Sequence, residues 1–494
     1  MKGGRPLSAH AGLPAETGLK ADSFRVPDLI VRAPISGGDR VRSAVFTALS
    51  CVVLLAGCSK GTSDFARSKD RNALMPEAEK YVDAFVDSRF GTPTTIRVWD
   101  RLGLEANKAN ATVESGDEGT VDLKFGKTVF AIKPGDTIVF PGAKTLTGTI
   151  KSFDETTQVA RLETALAAAP ASGSPALVGA GAVLSTGRHL YAEHCQHCHG
   201  VAGDGNGPTA KYLNPLPRDY RKGLFKFTST HYDYRPRRDD LSRIILDGIP
   251  GTYMPSFKLL TDAETAAIVE YVIFLSMRGQ TEEGLAKYLS GDYSDDAFAE
   301  RVKGGEASSE VIKGFKTEVD SPDFMADTVD PLIEQIVTNW KTSQTDDPTA
   351  RVFVKSEGVE PTAESIAKGR MLYLSDNAGC SKCHGQAGRG DGPSTTALNS
   401  EGTLGLRDNW GHPITPRNLR TGIYRGGRRP YDIYCRISVG IKGTPMPGIP
   451  EAKMSEEDRW HLVNYVLSVP FETLEPGKGV GATVDPPKVA DTAH

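Results

Sequence analysis

The chain has 494 residues, 24% of them charged, with a formal net charge of −4 at pH 7; that length leaves room for several domains, and the mild acidity excludes a nucleic-acid binder. Four of its seven cysteines fall in two C-x-x-C pairs, and Cys51, Cys58 and Cys435 are left over, so there is no disulfide framework.

In chain order, Arg40 and Arg42 precede an apolar run from Ala44 to Leu55 that ends in Leu55-Ala56-Gly57-Cys58. A charged n-region, a short apolar stretch and small residues at the cut make an export signal, and about a dozen apolar residues are too few for a permanent bilayer-spanning helix. The run resembles a bacterial lipoprotein signal with its lipobox. The alternative, a buried core helix, lacks an amphipathic frame. Cleavage after residue 57 would make Cys58 the lipidated first residue. It would remove seven Lys+Arg and four Asp+Glu and take the net charge from −4 to −7. The expected location is the periplasmic side of a bacterial membrane, with the lipid as the anchor.

A linker or helical segment is expected over 58–93. Residues 94–165 change in texture: Thr120-Val121-Asp122-Leu123-Lys124-Phe125 and Thr137-Ile138-Val139-Phe140 alternate with period two. Gly148-Thr149-Ile150-Lys151 and Gln158-Val159-Ala160-Arg161-Leu162 follow. Short alternating runs between glycine-bearing turns predict a small β-barrel or β-sandwich; its acid cluster, Glu114 to Glu118, reads as a turn, and its expected role is docking against a partner. An Ala/Pro/Gly/Ser-rich stretch then predicts a linker over 166–180.

The chemistry is carried by Cys195-Gln196-His197-Cys198-His199 and Cys380-Ser381-Lys382-Cys383-His384. Two cysteines three apart on one helical turn can form thioethers to the two vinyl groups of a porphyrin, and the next imidazole can reach the iron. Zinc would need a second ligand pair at fixed spacing, which neither motif has. The expected cofactors are therefore two covalently bound haem c groups.

The same landmarks surround both motifs in the same order, the mark of a duplicated domain. Gly187-Arg188-His189-Leu190-Tyr191 and Gly369-Arg370-Met371-Leu372-Tyr373 stand before them. Gly203-Asp204-Gly205-Asn206-Gly207-Pro208 and Gly388-Arg389-Gly390-Asp391-Gly392-Pro393 stand after them. No strand precedes these glycine loops and no Lys-Ser/Thr follows, so they read as tight loops over a porphyrin edge and not as phosphate cradles. Pro217-Arg218-Asp219 pairs with Pro416-Arg417-Asn418, and Gly251-Thr252-Tyr253-Met254-Pro255 with Gly443-Thr444-Pro445-Met446-Pro447. Met254 and Met446 each follow their motif histidine by about sixty residues on a Gly/Pro-rich loop, where a thioether makes a good sixth ligand. Met277 and Met371, on helical patterns, read as core gap-fillers. Each repeat closes with an amphipathic helix behind a capping signal, Thr261-Asp262-Ala263-Glu264 or Ser455-Glu456-Glu457-Asp458.

These strings resemble class I cytochrome c over roughly residues 180–280 and 360–470. The resemblance implies a mainly α chain with two cytochrome c domains, 181–280 and 361–472, each a small helical fold around a covalent haem. It implies His199 and Met254 as axial ligands of one iron and His384 and Met446 of the other. The Gly-Asp-Gly-x-Gly-Pro and Gly-Thr-x-Met-Pro strings look like cytochrome subunits that feed respiratory oxidases or take electrons from dehydrogenases. The expected partners are therefore redox proteins of a respiratory chain: a quinol-oxidising complex, a dehydrogenase or a terminal oxidase. His189, His194, His197, His231, His412 and His461 do not recur between the copies and read as surface or haem-packing residues. Cys435 reads as a small buried hydrophobe.

Between the haem domains, an acidic helical linker is expected over 281–360; residues 279 to 350 hold sixteen Asp+Glu against six Lys+Arg. Basic clusters contrast with it: Arg218, Arg221, Lys222, Arg235, Arg237 and Arg238 in the first domain, and Arg417, Arg420, Arg425, Arg428 and Arg429 in the second. They read either as solvated faces or as cations for the linker or an acidic partner. Arg218 and Arg417 are candidates to neutralise haem propionates. A disordered tail is expected over 473–494. The reading is a membrane-tethered electron carrier and not an enzyme, because a His/Met pair fills the iron's six positions. A diheme peroxidase, which needs one open iron site, is the alternative.

Overall fold

The computed structural model describes residues 64–473, apart from 103, 105–109, 116–118, 120, 127–131, 141–145, 174, 355 and 400–401. The export signal with Cys58 and the tail beyond residue 473 lie outside the described residues.

Helix α1 (Pro76–Phe90) starts on a proline, whose missing N–H costs nothing at that position. It buries Ala78, Val82, Phe85, Val86 and Phe90 on one face. Six antiparallel strands follow: β1 (Asn110–Ser115), β2 (Asp122–Phe125), β3 (Thr137–Phe140), β4 (Leu146–Asp154), β5 (Val159–Leu162) and β6 (Pro175–Val178). They close into a barrel in the order β1-β2-β5-β4-β3-β6, with β6 pairing back onto β1. Val113, Leu123, Phe125, Ile138, Phe140, Ile150, Leu162 and Val178 fill the interior. The choice left open between barrel and sandwich resolves to a barrel because a sixth strand closes the ring. That strand lies in the stretch 166–180 expected to be a linker. Ala176 faces inward beside Val178, and Pro175 takes the first strand position, where a missing donor is tolerated.

The first haem domain begins with α2 (Ala180–His194), then α3 (Gln196–His199), α4 (Arg238–Asp247) and α5 (Asp262–Tyr293). At 32 residues, α5 is about 48 Å long at 1.5 Å per residue. The boundary expected between residues 280 and 281 falls inside it. Gly279 and Gly284 do not end the helix; they admit neighbours. A Cβ on Gly279 would lie 2.4 Å from the Arg221 Cβ, and one on Gly284 2.6 Å from Leu332 Cδ1. The acidic segment expected to be a linker is therefore folded onto the first haem domain as α6 (Asp295–Lys303), α7 (Ser308–Val319) and α8 (Asp330–Thr342). Phe315, Ile333, Ile336 and Trp340 share one core with α1 and α5. Inside that core Arg278 and Glu282 form a buried ion pair at 3.0 Å.

The second haem domain repeats the plan with α9 (Ala363–Leu374), α10 (Cys380–His384), α11 (Pro430–Val439) and α12 (Glu456–Ser468), around its own core. A two-stranded hairpin, β7 (Leu406–Arg407) with β8 (Pro413–Ile414), has no counterpart in the first repeat. The capping signals act as the sequence predicts: Thr261 Oγ1 accepts from Glu264 N, and Ser455 Oγ accepts from Asp458 N. Met277 is buried, whereas Met371, expected in a core, is 67% exposed on the outer face of α9. Cys435 is buried.

The first haem domain is fastened both to the segment that leads into the second and to the second domain itself. Val352 N donates to Ser229 O at 2.9 Å, His231 N donates to Ala350 O at 2.8 Å, and Arg243 Nη1 donates to Gly426 O at 2.9 Å. Lys442, on the second domain's methionine loop, is 1% exposed. Its Nζ donates to Thr230 Oγ1 at 3.0 Å and to Tyr234 O at 2.7 Å in the first domain. Burial lowers its pKa from the ordinary 10.5 to about 7. Between those values the unfolded chain holds a proton that the folded chain does not, so stability contributed through Lys442 rises from pH 7 toward 10.5 and is absent below about 7. In thermal unfolding of the holoprotein, wild type should gain on Lys442→Met across this window, by up to about 1.4 kcal/mol per pH unit. A pH-independent difference between the two would refute the assignment.

Candidate haem sites

Each C-x-x-C-H pentapeptide is a single helical turn following a longer helix, and the two surroundings share their main contacts. Tyr191 Oη donates to Gly200 O at 2.8 Å, and Tyr373 Oη to Gly385 O at 2.7 Å. Tyr191 packs edge-on against Tyr271 at 5.3 Å, and Tyr373 against Tyr465 at 5.2 Å. These tyrosines tie the motif to the crossing of α2 with α5 and of α9 with α12. They stood in the repeated strings, but only the structure gives them a role.

The crossings depend on two glycines. A Cβ on Gly187 would sit 2.0 Å from Ala267 O, and one on Gly369 2.0 Å from His461 O. No side chain fits there. His461 is itself buried and shares a 2.8 Å hydrogen bond between Nδ1 and Ser365 Oγ; it is a packing residue of that crossing.

The glycine loops close on the motif's carbonyls. Gly205 N donates to His199 O at 2.9 Å and Gly390 N to His384 O at 2.8 Å, while Gly207 and Gly392 donate to Cys198 O and Cys383 O, each at 3.1 Å. These are the carbonyls a helical turn leaves unpaired at its C-terminal end. Backbone N–H groups so engaged cannot cradle a phosphate, and the positive φ of Gly205 and Gly390, 75° and 80°, needs glycine.

The motif side chains have the character covalent haem requires. No cysteine among the described residues is in a disulfide. Burial pushes the Cys195 thiol up to about 12 and the Cys380 thiol to about 11, so neither is held as a metal-binding thiolate. Burial lowers the pKa of His199 and His384, leaving each imidazole neutral. His384 Nδ1 lies 3.0 Å from Arg417 O. A carbonyl can only accept, so the proton sits on Nδ1 and the Nε2 lone pair is free for iron. In the first domain the Arg218 carbonyl acts on His199 in the same sense, although His199 Nδ1 stands outside hydrogen-bond geometry.

Met254 and Met446 occupy identical turns. Thr252 Oγ1 donates to Ile249 O at 2.8 Å and accepts from Met254 N at 3.2 Å. Thr444 Oγ1 donates to Ile441 O at 2.7 Å and accepts from Met446 N at 3.3 Å. Ile249 N and Ile441 N return bonds to Met254 O and Met446 O at 3.1 and 3.0 Å. A ring contact at 6.0 Å between His194 and Phe257 joins the end of α2 to the segment after Met254. Two rigid loops present two half-buried thioethers.

Arg218 has no partner for Nε, Nη1 or Nη2, and all three atoms are buried. Such a guanidinium is costly unless an anion is present; the residues therefore fit a cofactor that brings carboxylates. Arg417 is differently placed, with Nε donating to Ile423 O at 2.9 Å. Of the other basic residues, some meet the acidic segment and some pair inside their own domain, the latter an outcome outside both earlier readings. Lys222 meets Glu283 at 2.7 Å and Arg237 Nη1 donates to Thr345 O at 2.8 Å, both in the acidic segment. Arg221 and Arg238 pair within their own domain, with Asp219 and Glu270. Trp410 and Lys442 were not legible as site residues. The one available signal was length, since the second repeat carries extra residues between Gly392-Pro393 and Pro416.

Residues 182–272 match the family model of cytochrome C oxidase, cbb3-type, subunit III, and residues 366–470 match that of cytochrome c. Each repeat is thus a cytochrome c domain, mainly helical and bearing the haem-attachment turn. With two of them the chain is a diheme c-type cytochrome carrying two covalent haem c groups. No curated protein matches the chain. A solved structure, the reducing HAO-like protein complex of Kuenenia stuttgartiensis, is 27% identical over 57% of this chain and 95% of that one, with a TM-score of 0.39.

Proposed function

We propose that this protein is an electron carrier, lipid-anchored at Cys58 on the periplasmic side of a bacterial membrane, that passes single electrons between respiratory redox proteins. The observation that carries the reading is the duplicated Gly-Thr-x-Met-Pro turn, with the same internal hydrogen bonds in both repeats. When bound, a haem c iron held by histidine and a thioether cycles between iron(II) and iron(III), and the thioether raises its potential. The chain's own residues would offer the iron a neutral imidazole and a methionine presented on a rigid turn, and with both bound no position would stay open. A peroxidase would need one of them vacated. The match of the first domain to an oxidase subunit supports a respiratory partner: a quinol-oxidising complex, a dehydrogenase or a terminal oxidase. Neither haem of the reduced protein should bind carbon monoxide rapidly. Fast binding at one haem, accompanied by peroxide turnover, would replace the carrier with the peroxidase. Membrane extraction followed by identification of the co-purifying proteins tests the anchor and the partner together.

A further inference from the structure

The two arginines expected to meet haem propionates do not end in their own domains. Arg218 belongs to the first domain, and its carbonyl acts on His199. Its guanidinium, however, lies over the Trp410 ring of the second domain, Cζ 3.9 Å from the ring centre. Nη1 is 2.9 Å from the position a Cβ would take on Gly443, at the start of the Met446 turn. Asn409 N donates to Gly443 O at 3.1 Å, so Trp410 and that turn form one surface. The reverse contact is present as well. Arg417 of the second domain offers its carbonyl to His384 at 3.0 Å. Its Nη2 is 2.7 Å from the Cβ position of Gly251, at the start of the Met254 turn. Each arginine thus runs from the histidine of one haem site to the methionine loop of the other.

The exchange is symmetric in path and unequal in environment. Arg218 is stacked on an indole, with its three nitrogens and the Trp410 Nε1 all buried and without partners. These four buried donors come from two domains. Asp219 and Asp408 are close enough to act on Arg218 through space, yet neither forms an ion pair with it among the described contacts. Arg417 retains a backbone partner, Ile423 O.

We propose that Arg218 and Arg417 are shared between the domains, each standing between the two haem sites, so that its positive charge raises the potential of both irons. This rests on the reading of both arginines as propionate partners and adds the cross-domain assignment. A cation near an iron disfavours the more positive iron(III) state, so its removal lowers the potential. Trp410, by stacking, fixes the guanidinium at the interface; it is a positioning residue.

The test is a spectroelectrochemical titration of the holoprotein with Arg218→Gln and Arg218→Lys, the two waves being assigned by Met446→His, which displaces the second domain's wave. Arg218→Gln should shift both waves downward, and Arg218→Lys, which keeps the charge, should restore most of the shift. A downward shift confined to the first domain's wave would overturn the sharing while leaving the propionate reading intact. No shift in either wave would overturn both. If Arg218→Gln does not accumulate with two haems, Arg417→Gln, at a more exposed site, puts the same question from the opposite side: both waves fall, or the sharing fails.

Discussion

Replacing Met446 with histidine lowers the reduction potential of one haem and leaves the other close to its original value; Met254→His does the same to the other. The thioether favours iron(II) and imidazole does so less, and axial-ligand choice moves haem potentials across a span of about 0.8 V, so a fall on the order of 0.1 V or more is expected. The turn around each methionine supplies its own hydrogen bonds through Thr252 or Thr444 and the returning Ile249 or Ile441 amide. The loop should therefore survive the change, because no bond of the turn involves the thioether. Equilibrium titration measures the effect. A Met446→His protein whose two potentials match those of wild type would show that the thioether is not the sixth ligand.

Substituting Gly369 with alanine removes the haem of the second domain. The added Cβ would lie 2.0 Å from His461 O, 2.6 Å from the His461 carbonyl carbon and 2.7 Å from the Tyr465 Cβ. Two of these are backbone atoms and the third is fixed to backbone, so α9 and α12 must move apart. Overpacking of this kind costs about 1–3 kcal/mol and sometimes more. The crossing also positions Tyr373, whose hydroxyl holds Gly385 O at the end of the haem-attachment turn, so the strain reaches the site. The expected result is a haem-to-protein ratio near one instead of two, with a lower unfolding midpoint. Met371→Ala, two residues away but 67% exposed, is the control and should change stability by no more than about 0.5 kcal/mol. Equal behaviour of the two variants would remove the crossing from the account.

What the sequence made legible was local. The pentapeptides, the glycine loops, the methionine turns and the capping boxes each lie within a few residues, and duplication let one copy check the other. The fold class of two cytochrome c domains behind a small β domain followed from them, as did two covalent haems. Composition misled where backbone pairing or long-range packing decides. The Ala/Pro/Gly/Ser stretch looked like a linker, yet Pro175–Val178 completes the barrel through main-chain bonds that any residue can make. The acidic run after residue 280 looked like a linker, yet Gly279 and Gly284 admit Arg221 and Leu332 inside one unbroken helix. Arg218 was legible as a cation near a haem, but not as one that ends on Trp410 and Gly443, because no periodicity records a contact between separately folded repeats. Lys442 escaped notice for the same reason.

This chain carries two covalent haems, and each is proposed to be closed by histidine and methionine. A redox titration of the purified holoprotein, repeated under carbon monoxide, tests that proposal most directly. Two one-electron oxidations per chain are expected, both at potentials typical of His/Met ligation and unmoved by the gas. Only one electron per chain, or a wave that shifts under carbon monoxide, would contradict it.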